Sequence, residues 1–343
     1  MKRILVALPN WFGDALFATP FLALLRERYP RALIAALGVG RAQEILQGNP
    51  AVDALIRLDR PEAHAALRGW RLWKRLRDGR FDTAVLLRRS LSRTALIAAA
   101  GIPRRIGHDN AKSGWLLTDR VPMLSGPVHR AGTYLALLRA LDPEPASHPA
   151  RPPVYQYYPV AEERTQAAAL LTESGLRPDE PFIALHPGAN WEHKRWPAAR
   201  FAELGDTLQA RLGLRVVMTG TGSDQPLLQP LASRMRQPPI LLAGRTTLRQ
   251  AAAVLERARL VVSNDTGMVH LASAMGRPVV ALYGPTSPAL TGPLGPAERT
   301  VVIHHPGCCP CVPCYQPHHP GFPGMESISV EEVHEAAKKL LNG

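Results

Sequence analysis

The feature that most restricts the fold is an alternation. Short apolar runs are followed, again and again, by longer amphipathic stretches. Ile4–Leu8, Ala32–Leu37, Leu55–Leu58 and Thr83–Leu87 read as buried strands. Asp14–Arg28, Ala42–Gln47, Ala63–Arg77 and Thr94–Ala100 read as the helices between and after them. Parallel strands need helical crossovers, and strands covered on both faces are continuously apolar. The pattern stops at Pro143–Pro159, where Pro143, Pro145, Pro149, Pro152, Pro153 and Pro159 leave little periodicity, as in an interdomain linker. It then restarts, with helices over Glu162–Ser174, Ala198–Leu212, Thr247–Arg257 and Met268–Met275. The strands of this half are Phe182–His186, Arg215–Thr219, Leu260–Ser263 and Val279–Tyr283. A last helix, Ser329–Leu341, carries Ser329 as N-cap and Glu332 at the capping-box position. The chain is therefore expected to be α/β, with doubly wound domains at 1–158 and 159–328, a closing helix at 329–343, and a cleft between the domains. The length of 343 residues suits two such domains.

No apolar run reaches the ~18 residues of a membrane span. The start, Met1-Lys2-Arg3 followed by Ile4–Leu8, imitates a signal peptide, but Pro9-Asn10 cuts its apolar part short. The expectation is a cytoplasmic protein. The net charge of +13 comes almost wholly from arginine, since only six of 41 basic residues are lysine. Guanidinium groups suit phosphate and carboxylate partners. The arginines are dispersed and lack interleaved aromatics, which argues against nucleic acid and leaves an anionic substrate or membrane surface. A genomic preference for arginine is a second source of the excess.

Five runs could carry chemistry. In Pro9-Asn10-Trp11-Phe12-Gly13-Asp14, the carboxylate of Asp14 either caps the following helix or serves as a general base for a hydroxyl. In His186-Pro187-Gly188-Ala189 and Lys194-Arg195-Trp196-Pro197, the cations either meet phosphate or form a solvated pair. Thr219-Gly220-Thr221-Gly222-Ser223-Asp224 is a plain turn or a phosphate loop in which Asp224 reaches a ribose diol. Ser263-Asn264-Asp265-Thr266-Gly267-Met268-Val269-His270 joins a strand to a helix whose N-terminus would attract an anion through Thr266 and Gly267. There Asp265 reads as a loop anchor or a contact to the donor's sugar, and His270 as either functional or structural. Cys308, Cys309, Cys311 and Cys314, with His304, His305, His318 and His319 nearby, allow zinc, a redox-sensitive loop or an ordinary loop. G-x-G-x-x-G is absent after the first strand, which disfavours a dehydrogenase.

Taken together these runs resemble one family. The opening Ile4-Leu5-Val6 through Asn10-Trp11-Phe12-Gly13-Asp14 is similar to that of the bacterial ADP-heptose:lipopolysaccharide heptosyltransferases, glycosyltransferase family 9. So are Gly101-Ile102-Pro103-Arg104-Arg105-Ile106-Gly107, the His186, Lys194 and Ser263 runs, and Leu282-Tyr283-Gly284-Pro285-Thr286-Ser287-Pro288. The likeness is nearest to the heptosyltransferase II branch. It implies a GT-B fold, two Rossmann-like domains facing a central cleft, and inversion at the anomeric carbon with neither metal nor cofactor. It makes Asp14 the catalytic base and Lys194 the residue that neutralises the donor diphosphate. Gly188, Thr219, Thr221, Asp224, Asp265, Thr266, Gly267 and His270 fall on the donor side. The chain has Gln225-Pro226 where the family pattern places a glutamate near the ribose. Asn10, Arg60, Arg88, Arg89, Arg93, Arg104 and Arg105 are expected to face a phosphorylated lipopolysaccharide core acceptor at the inner membrane surface. The rival readings are a related transferase with another sugar or acceptor, and a non-catalytic nucleotide-sugar or polyanion binder.

Overall fold

The computed structural model describes residues 2–58, 65–141, 152–308, 313–314 and 324–342. The chain divides into two compact units, Met1–Tyr158 and Pro159–Gly343. Among the described residues, no helix is long and apolar enough to cross a membrane.

The first unit begins with β1 (Arg3–Ala7), α1 (Phe12–Arg28), β2 (Leu33–Gly38) and α2 (Gly40–Leu46). It continues with β3 (Ala54–Arg57), α3 (Ala65–Asp78), β4 (Thr83–Leu86) and α4 (Leu91–Ala99). It ends with β5 (Arg104–His108), β6 (Asp119–Val121), α5 (Arg130–Leu135) and α6 (Leu138–Leu141). All pairings are parallel, in the order β3-β2-β1-β4-β5-β6. β1 is central, and Ile4, Leu5, Val6 and Ala7 are fully buried. α1 contains Pro20, which cannot donate to the carbonyl of Leu16. The hydroxyl of Thr19 donates to that carbonyl instead, at 2.7 Å, so the helix continues.

The second unit holds α7 (Ala161–Glu173), β7 (Phe182–His186), α8 (Ala198–Leu212), β8 (Arg215–Met218), α9 (Gln225–Ala232) and β9 (Ile240–Leu241). Next come α10 (Leu248–Arg257), β10 (Leu260–Asn264), α11 (Gly267–Ala274) and β11 (Val279–Tyr283). It closes with α12 (Pro288–Thr291), β12 (Thr300–His304) and α13 (Val330–Asn342). The order is β12-β11-β10-β7-β8-β9, again all parallel. α8 stops at Gly213, whose φ of 65° is the left-handed conformation that glycine adopts freely. α10 starts with a complete capping box, Thr247 and Gln250 bonding each other's backbone N–H.

The closing helix, expected as a segment of its own, puts Val333, Ala337 and Leu340 into the core of the second unit. Its capping box is half formed. Ser329 Oγ accepts from the Glu332 N–H at 3.2 Å, while the Glu332 carboxylate turns to His305 Nε2 at 3.1 Å.

Renumbered from their own first strands, both sheets run 3-2-1-4-5-6. In such a sheet the strand order reverses beside strand 1, and ligands bind outside the carboxyl ends there. In the first unit the reversal lies between β1 and β4. In the second it lies between β7 and β10.

Candidate active site

Each reversal point carries one of the two residues expected to do chemistry. In the first unit it is Asp14, in the first turn of α1. Trp11, the N-cap, makes no side-chain cap, and Asp14 does not cap the helix either. Its side chain is 25% exposed, with Oδ1 3.8 Å from Arg130 Nε at the start of α5. Burial raises the Asp14 pKa above the ordinary carboxylate value, opposed by the charges of Arg130 and then Arg88. Burial and the Asp14 charge together push the neighbouring Tyr134 phenol up as well. A carboxylate that holds protons more readily than usual, with only a loose ion pair, is suited to accept one.

The arginines expected around it separate into two kinds. Arg88 and Arg89, just beyond β4, are exposed and line a small depression with His108, Asn110 and Ser113. Arg93, Arg104 and Arg105 differ from these two, because the fold already engages their guanidinium groups. Arg93 is 5% exposed and donates to the Leu8 carbonyl and to Asn10 Oδ1, which also occupies the side chain of Asn10. Arg104 pairs with Asp119 at 2.8 Å, tying β5 to β6. Arg105 donates to the carbonyls of Leu116, at 2.7 Å, and Ile102, at 2.6 Å. Arg60 lies outside the described residues.

In the second unit the loop after β7 carries Lys194, and the loop after β10 carries Asp265, Thr266 and Gly267. Lys194 Nζ is 2.5 Å from Asp265 Oδ2, with side chains 17% and 8% exposed. The Thr286 hydroxyl donates to the same oxygen, also at 2.5 Å. Asp265 thus anchors the cation. Lys194 also sits 5.6 Å from the centre of the Trp191 ring. Thr266 caps α11 by accepting from the Met268 N–H at 3.2 Å, and α11 begins at Gly267. His270 is buried, 4% exposed, on that helix.

The loop bearing Lys194 is fixed by groups the sequence did not reveal. Asn264, fully buried at the end of β10, accepts from the Trp196 N–H at 3.0 Å and donates to the Pro187 carbonyl at 2.7 Å. Trp196 is 1% exposed, and its Nε1 donates to the Ile328 carbonyl at 3.0 Å. Arg195 bonds within the loop. It donates to the Ala189 carbonyl from Nε at 3.0 Å and Nη2 at 2.9 Å, closing the loop on itself.

The donor-side residues after β8 also take framework roles. Thr219 is 2% exposed, and its hydroxyl lies 3.0 Å from His186 Nδ1. Burial depresses the His186 pKa to about 4, so the ring is neutral at ordinary pH. Asp224 Oδ2 accepts from both the N–H and the hydroxyl of Thr221, each at 2.7 Å, and so fastens its own loop. A Cβ on Gly188 would meet the Asp224 carboxylate at 2.9 Å, so glycine there lets the two loops pack together.

Among the described residues, one group of ligand-type side chains converges, Glu331, His334 and Glu335 on α13. Arg211 Nη1 already lies 3.4 Å from His334 Nδ1 and 3.6 Å from Glu331, so that group has its cation. Of the cysteine-rich run, Cys309, Cys311, His318, His319 and the side chain of Cys308 lie outside the described residues. Cys314 is buried, and its N–H donates to the Pro285 carbonyl at 2.7 Å, beside Thr286.

The chain is similar to known proteins over most of its length. The model of glycosyltransferase family 9 (heptosyltransferase) matches residues 69–319. Lipopolysaccharide heptosyltransferase 2 of Salmonella typhimurium is 32% identical over 314 residues, with 87% of each chain covered. Among solved structures, the family 9 glycosyl transferase of Veillonella parvula is 27% identical with a TM-score of 0.86, covering 99% of this chain and 97% of that one. The E. coli ADP-heptose lps heptosyltransferase II is 28% identical with a TM-score of 0.81, covering 100% and 99%. Both the family model and the Salmonella relative span most of the sequence, and the chain belongs to glycosyltransferase family 9, the heptosyltransferases.

Proposed function

We propose that the chain transfers heptose from ADP-L-glycero-D-manno-heptose to the inner core of lipopolysaccharide, with inversion at the anomeric carbon. The observation that carries the mechanism is the pair of reversal points, one with a proton-accepting carboxylate and one with a fixed cation beside a helix N-terminus. The sugar and the acceptor are supported by the relatives, whose names specify heptose and lipopolysaccharide.

Asp14 takes the proton of the attacking acceptor hydroxyl. That oxygen bonds to the anomeric carbon from the face opposite the leaving group. The bond between that carbon and the diphosphate oxygen breaks, and its electron pair leaves with ADP. Lys194 and the N–H groups opening α11 at Thr266 and Gly267 meet the charge as it builds, and preorganised charge of this kind is usually the largest catalytic contribution. On this reading the first unit binds the acceptor, with Arg88 and Arg89 toward its phosphates, and the second binds the nucleotide sugar. The cationic surface suits work at the cytoplasmic face of the inner membrane. Lys194 and the helix dipole supply the positive charge that a divalent ion would otherwise bring, so full activity in EDTA is expected and its loss would contradict a metal-free step.

The test is a donor screen that follows nucleotide release with lipopolysaccharide core as acceptor. ADP-heptose should be turned over in preference to other nucleotide sugars. Preference for another sugar would overturn the donor assignment, and binding without release would favour a non-catalytic binder.

A further inference from the structure

Arg93 is a buried cation without an acidic partner among the described residues. It sits on the buried face of α4 with Thr94 and Ile97, and burial lowers its pKa to about 10, with the Arg88 charge adding to the effect. Desolvating a guanidinium is unfavourable, and a hydrophobic side chain of similar size commonly replaces such a group without loss of stability. Its bonds suggest why arginine stands there. Nη1 takes the Leu8 carbonyl and Nη2 takes Asn10 Oδ1, so one rigid fork grips both ends of the turn between β1 and α1. Asparagine is among the residues best able to cap a helix, yet Asn10 gives its oxygen to Arg93, and Trp11, the N-cap of α1, makes no side-chain cap. The start of the turn is tied by the Leu8 N–H to the Leu37 carbonyl at 2.8 Å. The first helical turn closes from the Ala15 N–H to the Trp11 carbonyl at 2.9 Å. Between these two bonds Arg93 is what fixes the path of the chain toward Asp14.

We propose that Arg93 is a positioning residue for the transfer reaction. By clamping Leu8 and Asn10 it holds the first turn of α1, and with it the Asp14 carboxylate, in register with the acceptor hydroxyl. The proposal rests on Asp14 being the base. Lysine keeps the charge but carries its donors on one nitrogen, without the planar fork that meets the two oxygens from separate atoms.

The test compares Arg93→Met, Arg93→Lys, Asn10→Ala, Asp14→Asn and the double variant R93M/N10A in the full chain. Steady-state transfer, ADP affinity and thermal midpoint are measured for each. A displaced catalytic group costs on the order of 10²-fold in rate. Arg93→Met should therefore lower kcat by about that much, with the KM for nucleotide sugar within roughly twofold of wild type. Arg93→Lys should recover part of the loss. Asn10→Ala should cost less, and the double variant should be no worse than Arg93→Met alone, because both changes break one clamp. If Arg93→Met fails to fold, Arg93→Lys and Asn10→Ala still report the kcat and KM split. If Asp14→Asn is inactive while Arg93→Met keeps the wild-type kcat, or if the Arg93 and Asn10 losses simply add, positioning by Arg93 is refuted. If Asp14→Asn keeps its activity, the reading of Asp14 as base fails, and the proposal falls with it.

Discussion

The two units share one strand order and differ in what stands at the point where it reverses. The first presents a carboxylate, Asp14, loosely paired 3.8 Å from Arg130 and raised in pKa by burial. The second presents a cation, Lys194, in a 2.5 Å pair with an aspartate that Thr286 also holds. Topology sets the address, and the side chains in the two loops set the chemistry. On the proposed function, a base must be free to gain a proton, and a loose, partly desolvated carboxylate suits that. A phosphate grip must keep its charge and its place, and a cation anchored by a buried carboxylate suits that.

The sharpest way to break the comparison is to remove each group in turn. Asp14→Asn should lower the transfer rate by about 10³-fold, within the usual range for general-base catalysis. Rates within tenfold of wild type would exclude Asp14 as the base. Lys194→Met should cost about 10²-fold in rate, as for loss of one preorganised donor. It should also destabilise the fold by about 3 kcal/mol, since it strands the buried Asp265. Adding Asp265→Asn should restore much of that stability, read by chemical denaturation, without restoring the rate.

Protonation sharpens the contrast further. Only ionised Asp14 can accept a proton, so kcat/KM should fall as pH drops through its raised pKa. Arg130 lowers that pKa, so Arg130→Gln should move the acid limb of the profile to higher pH, and a limb that stays put would remove Arg130 from the site. The smallest effect concerns stability. A carboxylate with a raised folded-state pKa makes the folded state bind more protons than the unfolded one, so its contribution worsens as pH rises through that pKa. Asp14→Asn should therefore raise the thermal midpoint slightly at neutral pH, and the gain should vanish below the carboxylate range.

The centre of each sheet was legible in the sequence and its margins were not. Phe182–His186, Val279–Tyr283 and the helix Ala198–Leu212 match the structure end for end, because buried parallel strands and one-sided helices carry strong patterns. β6, β9 and β12 have no counterpart among the strands expected from the sequence. They are edge strands, and two of them are only two or three residues long. β5 has none either, because its Arg-Arg-Ile-Gly-His sequence hides a strand whose arginines bond sideways.

The site divides in the same way. Asp14 and Lys194 could be picked out because each follows a recognisable strand. Arg130 and Thr286 could not, because their roles arise from contacts across space with residues far along the chain. The framework contacts of Arg93, Arg105 and Thr219 could not be read either, because a polar residue reads the same in sequence whether buried or exposed. Only the structure shows the carbonyls and the imidazole they serve.

The division of labour is tested most directly by titrating ADP into Asp14→Asn and Lys194→Met. If the second unit alone holds the nucleotide diphosphate, Asp14→Asn should bind ADP within about twofold of wild type, and Lys194→Met should bind at least about tenfold more weakly, a loss of ~1.4 kcal/mol. Weakened binding in Asp14→Asn together with unchanged binding in Lys194→Met would contradict the account.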